Sequence, residues 1–272
     1  MQNFPNLFDL TGRVAVITGG TGLLGLQHAS AIAGAGGIPV LADIRQLPAD
    51  VMRERFGPDA ISLVGDITKS DEVSALLDVV LKKFGRVDIL INNAANNPKV
   101  EGPSALEKSR FETFSLDQWH ADLAVSLTGS FLCSQVFGAE MARRKGGVIV
   151  NLASDLAVIA PDQRIYRKGG VAPDQQPVKP VTYSVVKTAI LGLTRYLATY
   201  WAEAGVRVNA ISPGGVFNGQ PDEFVARLSQ LIPMGRMAHL NEYQGAILFL
   251  CSDASSYMTG SNLIIDGGRS CW

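Results

Sequence analysis

The chain has 272 residues, 47% of them hydrophobic and 18% charged, with a formal net charge of −1 and 3 cysteines. This length and apolar content can bury a sizeable core, while the near-neutral charge and lack of long basic runs argue against a nucleic-acid partner. Cys133, Cys251 and Cys271 are odd in number and far apart, which excludes a disulfide framework or zinc spacing, and no apolar run reaches the length of a membrane span. One soluble, cytoplasmic domain over residues 1–272 is therefore expected, without metal, membrane anchor or signal peptide: residues 1–5 lack the basic-then-apolar order of a leader.

Residues 14–18 form a short β-branched run that leads into Gly19, Gly22 and Gly25, and a helical pattern then continues to Ala35. An apolar run without alternation predicts a strand covered on both faces, as in a parallel sheet. Glycines after it permit a tight turn and close approach of a ligand, and a helix beginning there directs unpaired N–H groups at a phosphate. A second strand, Ile38 to Ala42, ends at Asp43, eighteen positions beyond Gly25. A carboxylate there can accept hydrogen bonds from ribose hydroxyls and repels a 2′-phosphate, so NAD(H) is favoured over NADP(H). Arg45 weakens that preference, and a turn-forming role for Asp43 stays open.

The alternation continues along the chain. Ile61 to Gly65 reads as a strand ending at Asp66, followed by a helix from Ser70 to Phe84 closed by Gly85. Val87 to Ile91 reads as a strand running into Asn92, Asn93, Ala94 and Ala95, small and amide residues suited to a passing nucleotide or to a polar turn. A long helix is expected from Leu116 to Arg144, then a strand from Gly147 to Leu152 ending at Ala153, Ser154 and Asp155. Val206 to Ile211 and Asn262 to Ile265 read as further strands, with a helix at Asn241 to Cys251 between them. The pattern implies an α/β fold, a Rossmann-like, doubly wound, mainly parallel seven-stranded sheet with helices on both faces. His28, His120 and His239 are scattered and read as structural.

The chemistry is concentrated at Thr182 to Thr194. Val185, Val186, Ala189, Ile190 and Leu193 have helical spacing, which places Tyr183 and Lys187 one turn apart on the same face. An ammonium that lowers a phenol by roughly three pKa units supplies about 4 kcal/mol and makes it a general acid/base near neutrality. A chance helical pair is the alternative.

Together these stretches resemble the short-chain dehydrogenase/reductase family in its single-domain branch. The resemblance spans nearly the whole chain and rests on Thr18-Gly19 with Gly25, Asp66, Asn92-Asn93-Ala94, Ser154, Tyr183 with Lys187, Asn209, Pro213-Gly214 and Asp266-Gly267-Gly268. It implies that Ser154 binds the substrate oxygen, Tyr183 exchanges its proton, and Lys187 holds the nicotinamide ribose. It further implies cofactor contacts from Thr18, Gly19, Thr21, Gly22, Leu23, Leu24, Gly25, Asp43, Ile44, Asp66, Ile67, Asn93, Ala94, Ala95, Pro213, Gly214, Val216 and Asn218, with Asn92 near the adenine-side ribose. The family commonly assembles as a dimer or tetramer through the helices at Leu116–Arg144 and Tyr183–Ala204.

Four departures from the family pattern stand out. A glycine expected at Leu23 is at Gly22. Ser126 occupies the position where the family has an asparagine thought to hold a relay water, and Asn218 stands where a threonine often touches cofactor. Ser154 and Tyr183 are 29 positions apart, more than in relatives, so residues 157–180 form an insertion beside the active site. It is too rich in proline and glycine for a helix. Its Arg164, Tyr166, Arg167, Lys168 and Lys179 could hold a carboxylate, phosphate or sugar-nucleotide group; a solvated tip or subunit contact is the alternative. Asn96, Asp155 and Gly215 complete the expected substrate contacts, and residues 96–115 a further pocket wall.

The expected activity is NAD(H)-dependent interconversion of a secondary alcohol and a ketone on a small polar, sugar-like or anionic molecule. The tail, including Pro213–Asn218, Pro233–Arg236 and Gly267–Trp272, resembles dehydrogenases of surface-sugar and flagellin-glycan pathways. Two alternatives are a 3-oxoacyl thioester reductase and a nucleotide-binding regulator without catalysis.

Overall fold

Unalternated apolar runs become strands at the centre of a sheet because both of their faces are covered. The computed structural model describes residues 7–96 and 109–272 and places seven strands among them: β1 (Val14–Thr18), β2 (Ile38–Asp43), β3 (Ile61–Val64), β4 (Ile89–Asn92), β5 (Gly147–Leu152), β6 (Val206–Pro213) and β7 (Asn262–Ile265). All pairings are parallel, in the order β3-β2-β1-β4-β5-β6-β7. The order reverses between β1 and β4, and a crevice for a ligand opens beyond the strands' carboxyl ends at such a point.

The eight helices of the described residues are α1 (Leu23–Gly34), α2 (Ala49–Phe56), α3 (Ser70–Phe84), α4 (Leu116–Leu123), α5 (Gly129–Arg143), α6 (Val181–Tyr200), α7 (Asp222–Ser229) and α8 (Gln244–Cys251). Successive strand residues face opposite ways, so the sheet feeds two cores. Ala15, Ile17, Ile89 and Ile91 pack with Ile32 of α1 and Ile247 and Leu250 of α8. Val14, Val16 and Leu90 pack on the other face with Val73 and Leu76 of α3, Phe137 and Met141 of α5 and Leu197 of α6. These cores make the doubly wound arrangement, and they hold the strand ends rigidly. None of the described helices is long and apolar enough to cross a membrane.

Several boundaries differ from the sequence reading. The long helix expected from Leu116 to Arg144 is broken by a π-helical turn, Ala124–Thr128, that contains Ser126. Such one-turn bulges displace a side chain from the regular helical register. Here the Ser126 hydroxyl accepts the N–H of Asn96 at 3.0 Å, beyond β4. Helices α2 and α7 carried no clear periodicity because each has only eight residues and few apolar anchors; Met52 and Phe56 are the buried residues of α2. The insertion contains two 3₁₀ turns, Gln163–Tyr166 and Pro173–Gln175, and no α-helix. Residues 97–108, most of the expected further pocket wall, and residues 1–5 lie outside the described residues.

Candidate active site

At the nucleotide end, the turn after β1 is built by lack of side chains. Gly19 has φ of +60°, and a Cβ there would meet the Ala94 backbone at 2.8 Å; one on Gly25 would lie 2.4 Å from the Gly19 carbonyl oxygen. Gly22 begins α1 with no side-chain cap, and the first turn holds no acidic residue. Exposed N–H groups at a helix start, with backbone free to approach, fit a pyrophosphate. Thr18 ties this turn to the end of β4: its hydroxyl accepts the N–H groups of Asn93 and Ala94 at 3.0 and 3.1 Å. The Asn93 amide returns two bonds, to the carbonyls of Thr18 and Gly19, both 3.0 Å.

Asp43 ends β2 and is buried, with its carboxylate accepting from the Thr21 hydroxyl at 2.8 Å and the Arg45 N–H at 3.1 Å. Ile44 beside it is 71% exposed, and Leu23 is also exposed, whereas Leu24 packs on the core. Asp66 takes the Thr68 N–H and hydroxyl, which holds its carboxyl below the usual range. Ile67 turns inward instead, packed where Gly129 leaves room. Asn92 does not face a ribose: it is buried and donates to Asn151 at 2.8 Å and to Ser134 at 3.0 Å, binding β4 to β5 and α5. Gly214 and Gly215 back onto Asp266 and onto Leu228 and Met237; Val216 bridges Ala238, and the exposed Asn218 donates its N–H to Gln220. Ala95 is exposed beyond β4, and Pro213 closes β6.

At the reacting end, β5 delivers Ser154 and α6 delivers Tyr183 and Lys187. Ser154 and Tyr183 lie in hydrogen-bonding contact, although 29 residues separate them. The sequence reading of Lys187 requires correction. Its Nζ donates to the Leu152 carbonyl at 2.6 Å and stands 5.9 Å from the Tyr183 ring centre, and it does not lower the phenol as expected. Burial dominates instead: it holds the Tyr183 phenol above its ordinary pKa, while the Ser154 contact works in the opposite direction. Burial also brings Lys187 down to about 8.

Behind these residues a cavity of about 10 Å³ is lined by Asn96, Asp122, Ser126, Thr182, Tyr183, Val186 and Lys187. That is roughly the room one water molecule needs, among polar partners that could bind it. Asn96 points into this layer, donating to the buried Asp122 at 3.0 Å, rather than toward a substrate. Thr182 donates to the same carboxylate at 2.5 Å. Sequence reasoning missed Asp122; only its position one helical turn before Ser126 could have marked it.

The insertion also departs from expectation. Arg164 folds back on Asp162 at 2.7 Å with its side chain 73% exposed, and Arg167 and Lys168 are exposed. Tyr166 packs against Phe224 of α7 at 5.6 Å. Lys179, the last of the insertion cations named above, has its Nζ 3.7 Å from the Tyr183 ring centre. Asp155 is held within the protein: it accepts the Ser154 hydroxyl at 2.8 Å and Arg269 Nη1 at 2.6 Å. The Arg269 side chain is 8% exposed and that of Asp155 5%. The histidines stay apart from this chemistry; His28 is buried in α1, where burial drops it to about 4.

A family model described as enoyl-(acyl carrier protein) reductase matches residues 23–270. The chain is 35% identical to an NAD-dependent glycerol dehydrogenase of Listeria innocua, covering 98% of this chain and 97% of that one. This chain belongs to the short-chain dehydrogenase/reductase family. A D-threitol dehydrogenase of Mycolicibacterium smegmatis is also 35% identical, over 96% of this chain and 94% of its own. A gluconate 5-dehydrogenase from Burkholderia cenocepacia, solved with NADP and tartrate, superposes with a TM-score of 0.84 at 28% identity, covering 99% of this chain and all (100%) of that one.

The short-chain dehydrogenase/reductase is thus an NAD(P)-dependent oxidoreductase, and its relatives use both dinucleotides. The glycine turn gives a direct test of the cradle. Gly25→Ala is expected to weaken NADH binding at least tenfold, because the added methyl collides with the Gly19 carbonyl rather than with a side chain that can move. Calorimetric titration with NADH, beside an unchanged circular-dichroism spectrum, measures it; unaltered affinity would remove Gly25 from the cradle.

Proposed function

We propose that this enzyme interconverts the secondary alcohol and ketone of a small polyhydroxylated substrate, with NAD(H) preferred. The observation that carries the reading is the convergence of Ser154, Tyr183 and Lys187 at the carboxyl end of β5. A bound nicotinamide supplies the hydride acceptor or donor. The proton on the reacting oxygen is then handled by Tyr183, while Ser154 fixes that oxygen by a hydrogen bond. The ammonium of Lys187 lies one helical turn beyond Tyr183 and would meet the ribose hydroxyls. Gly19, Thr21, Gly22 and Gly25 would hold the pyrophosphate, with Asp43 on the adenosine ribose and Asp66 near adenine.

The relatives named for glycerol and threitol support a polyol, and nothing in them points to the narrower surface-sugar or flagellin-glycan assignment. The second reading is a 3-oxoacyl thioester reductase, supported by the acyl carrier protein in the family model's description and by a relative named as such a reductase at 31% identity. Asp43 opposes it by disfavouring the 2′-phosphate of NADPH. We also place the enzyme in the reducing cytoplasm, given that Cys133, Cys251 and Cys271 are free thiols. Assembly as a dimer or tetramer fits the exposed Phe131 of α5 with Val185, Tyr196 and Tyr200 of α6.

Initial rates on D-threitol and glycerol with NAD⁺ and NADP⁺ at equal concentration test the reading. Oxidation is expected at least tenfold faster with NAD⁺, and Asp43→Ala should narrow that ratio. Turnover of acetoacetyl-CoA with NADPH, but of neither polyol with NAD⁺, would move the assignment to the 3-oxoacyl thioester reductase.

A further inference from the structure

The small cavity behind Tyr183 is walled by polar groups from three separate stretches: Asn96 beyond β4, Asp122 of α4 with Ser126 in the π-turn that follows it, and Thr182 and Lys187 of α6. Their hydrogen-bonding capacities complement one water. Lys187 carries three donors and directs one to the Leu152 carbonyl, Ser126 has a hydroxyl proton to give, and the Asp122 carboxylate accepts. A buried water makes about three bonds to the polar groups around it. One molecule in this space can therefore accept from Lys187 and Ser126 and donate to Asp122.

Asp122 is 2% exposed, and its neighbours Leu123 and Leu127 pack on the apolar cluster of Ala153, Val186 and Ile190. A carboxylate in such surroundings is costly unless hydrogen-bonded. Three donors meet that need: Gln118 Nε2 at 2.8 Å and Asn96 Nδ2 at 3.0 Å on one oxygen, and Thr182 Oγ1 at 2.5 Å on the other. They come from α4 itself, from the segment after β4 and from α6, so the carboxylate is fixed relative to the residue just before Tyr183. Ser126, where the family has an asparagine, reaches less far than an amide, and its hydroxyl already accepts the Asn96 N–H. Asp122, one helical turn earlier, brings an oxygen to the same cavity.

We propose that Asp122 is a positioning residue for the proton transfer: through one water in this cavity its carboxylate holds the Lys187 ammonium in place behind Tyr183, standing in for the asparagine that the family places at Ser126. Asp122 acts through Lys187 and the water, at one remove from the reacting atoms. This rests on Tyr183 and Lys187 having the roles proposed above, and it holds for a polyol or a thioester substrate alike.

Asp122→Asn keeps the shape of the side chain and removes its charge. With D-threitol and NAD⁺, kcat is expected to fall roughly tenfold, less than the 10²- to 10⁴-fold of a general acid/base itself. The solvent deuterium isotope effect on kcat should increase, because a slowed proton step weighs more in the rate; a loosened fold alone has no reason to raise it. Rescue separates the two roles further. Asp122→Ala combined with Ser126→Asn returns an amide to the space that the carboxylate vacates, and should recover most of the rate that Asp122→Ala alone loses. A readout without turnover is a crystal structure of the NAD⁺ complex, which should show one ordered water within hydrogen-bond reach of Asp122, Ser126 and Lys187. A dry cavity, an unchanged solvent isotope effect in Asp122→Asn, or a double variant no faster than Asp122→Ala each overturns the proposal. If neither D-threitol nor glycerol reacts, the same comparisons are made on acetoacetyl-CoA with NADPH: the water in place and the same slowing there would leave this inference intact and refute the polyol dehydrogenase reading. Threitol oxidation indifferent to Asp122→Asn would do the reverse.

Discussion

Tyr183→Phe is expected to lower kcat by about 10²- to 10⁴-fold, the usual worth of a positioned general acid/base, while NADH still binds. The ring remains to fill the half-buried space at the start of α6, so the loss isolates the proton. The same residue sets the direction of the pH response. The burial around Tyr183 holds its phenol above the ordinary value, so the proton-accepting phenolate is scarce at neutral pH in the free enzyme. Because kcat/KM reports the ionisation of the free enzyme, its value for oxidation should rise as pH increases through neutrality into the alkaline range. Reduction requires the protonated phenol and should keep its rate over that interval. A plateau already reached at pH 6 for oxidation, or a Phe variant with the wild-type rate, would remove Tyr183 from the proton-transfer step.

The local parts of this site were legible in the sequence because their geometry is local. Tyr183 and Lys187 are four residues apart on one helix, and the Gly19–Gly25 turn is a single strand-to-helix connection; both spacings determine a placement without tertiary information. Strand identity was legible too, since unalternated runs such as Val14–Thr18 have only a covered central position open to them. What could not be read depends on packing between distant segments. Asn92 looks like a ligand from its place after an apolar run, yet facing Asn151 and Ser134 across β5 and α5 offers its amide buried partners. The insertion's arginines looked like the substrate cations. Arg164 instead has a carboxylate two residues away, and a near partner on an exposed loop is reached before any distant one. Lys179 reaches Tyr183 only because Pro180 begins the helix beside it. The π-turn at Ser126 likewise has no signature in periodicity, since one displaced residue leaves the flanking apolar pattern almost unchanged.

The ion pair between Asp155 and Arg269, 114 residues apart, yields the second large expectation. Arg269→Ala should cost about 3–5 kcal/mol, the range for stranding one partner of a buried pair. The carboxylate would keep its bonds from the Ser154 hydroxyl and the Leu156 N–H, both 2.8 Å, but lose the charge that offsets its burial. Its negative field already pushes the Tyr183 phenol upward, so the alkaline rise of oxidation should also move to higher pH. A double variant, Asp155→Asn with Arg269→Gln, keeps an acceptor for Ser154 without either charge. It should recover most of the lost stability, because removing both members of a buried pair is far cheaper than removing one. Denaturant melts of the two variants decide the matter. An Arg269→Ala protein within about 0.5 kcal/mol of wild type, the ordinary range of a surface substitution, would mean that the carboxylate finds compensation elsewhere, and the C-terminal turn would then lose its part in setting the catalytic serine.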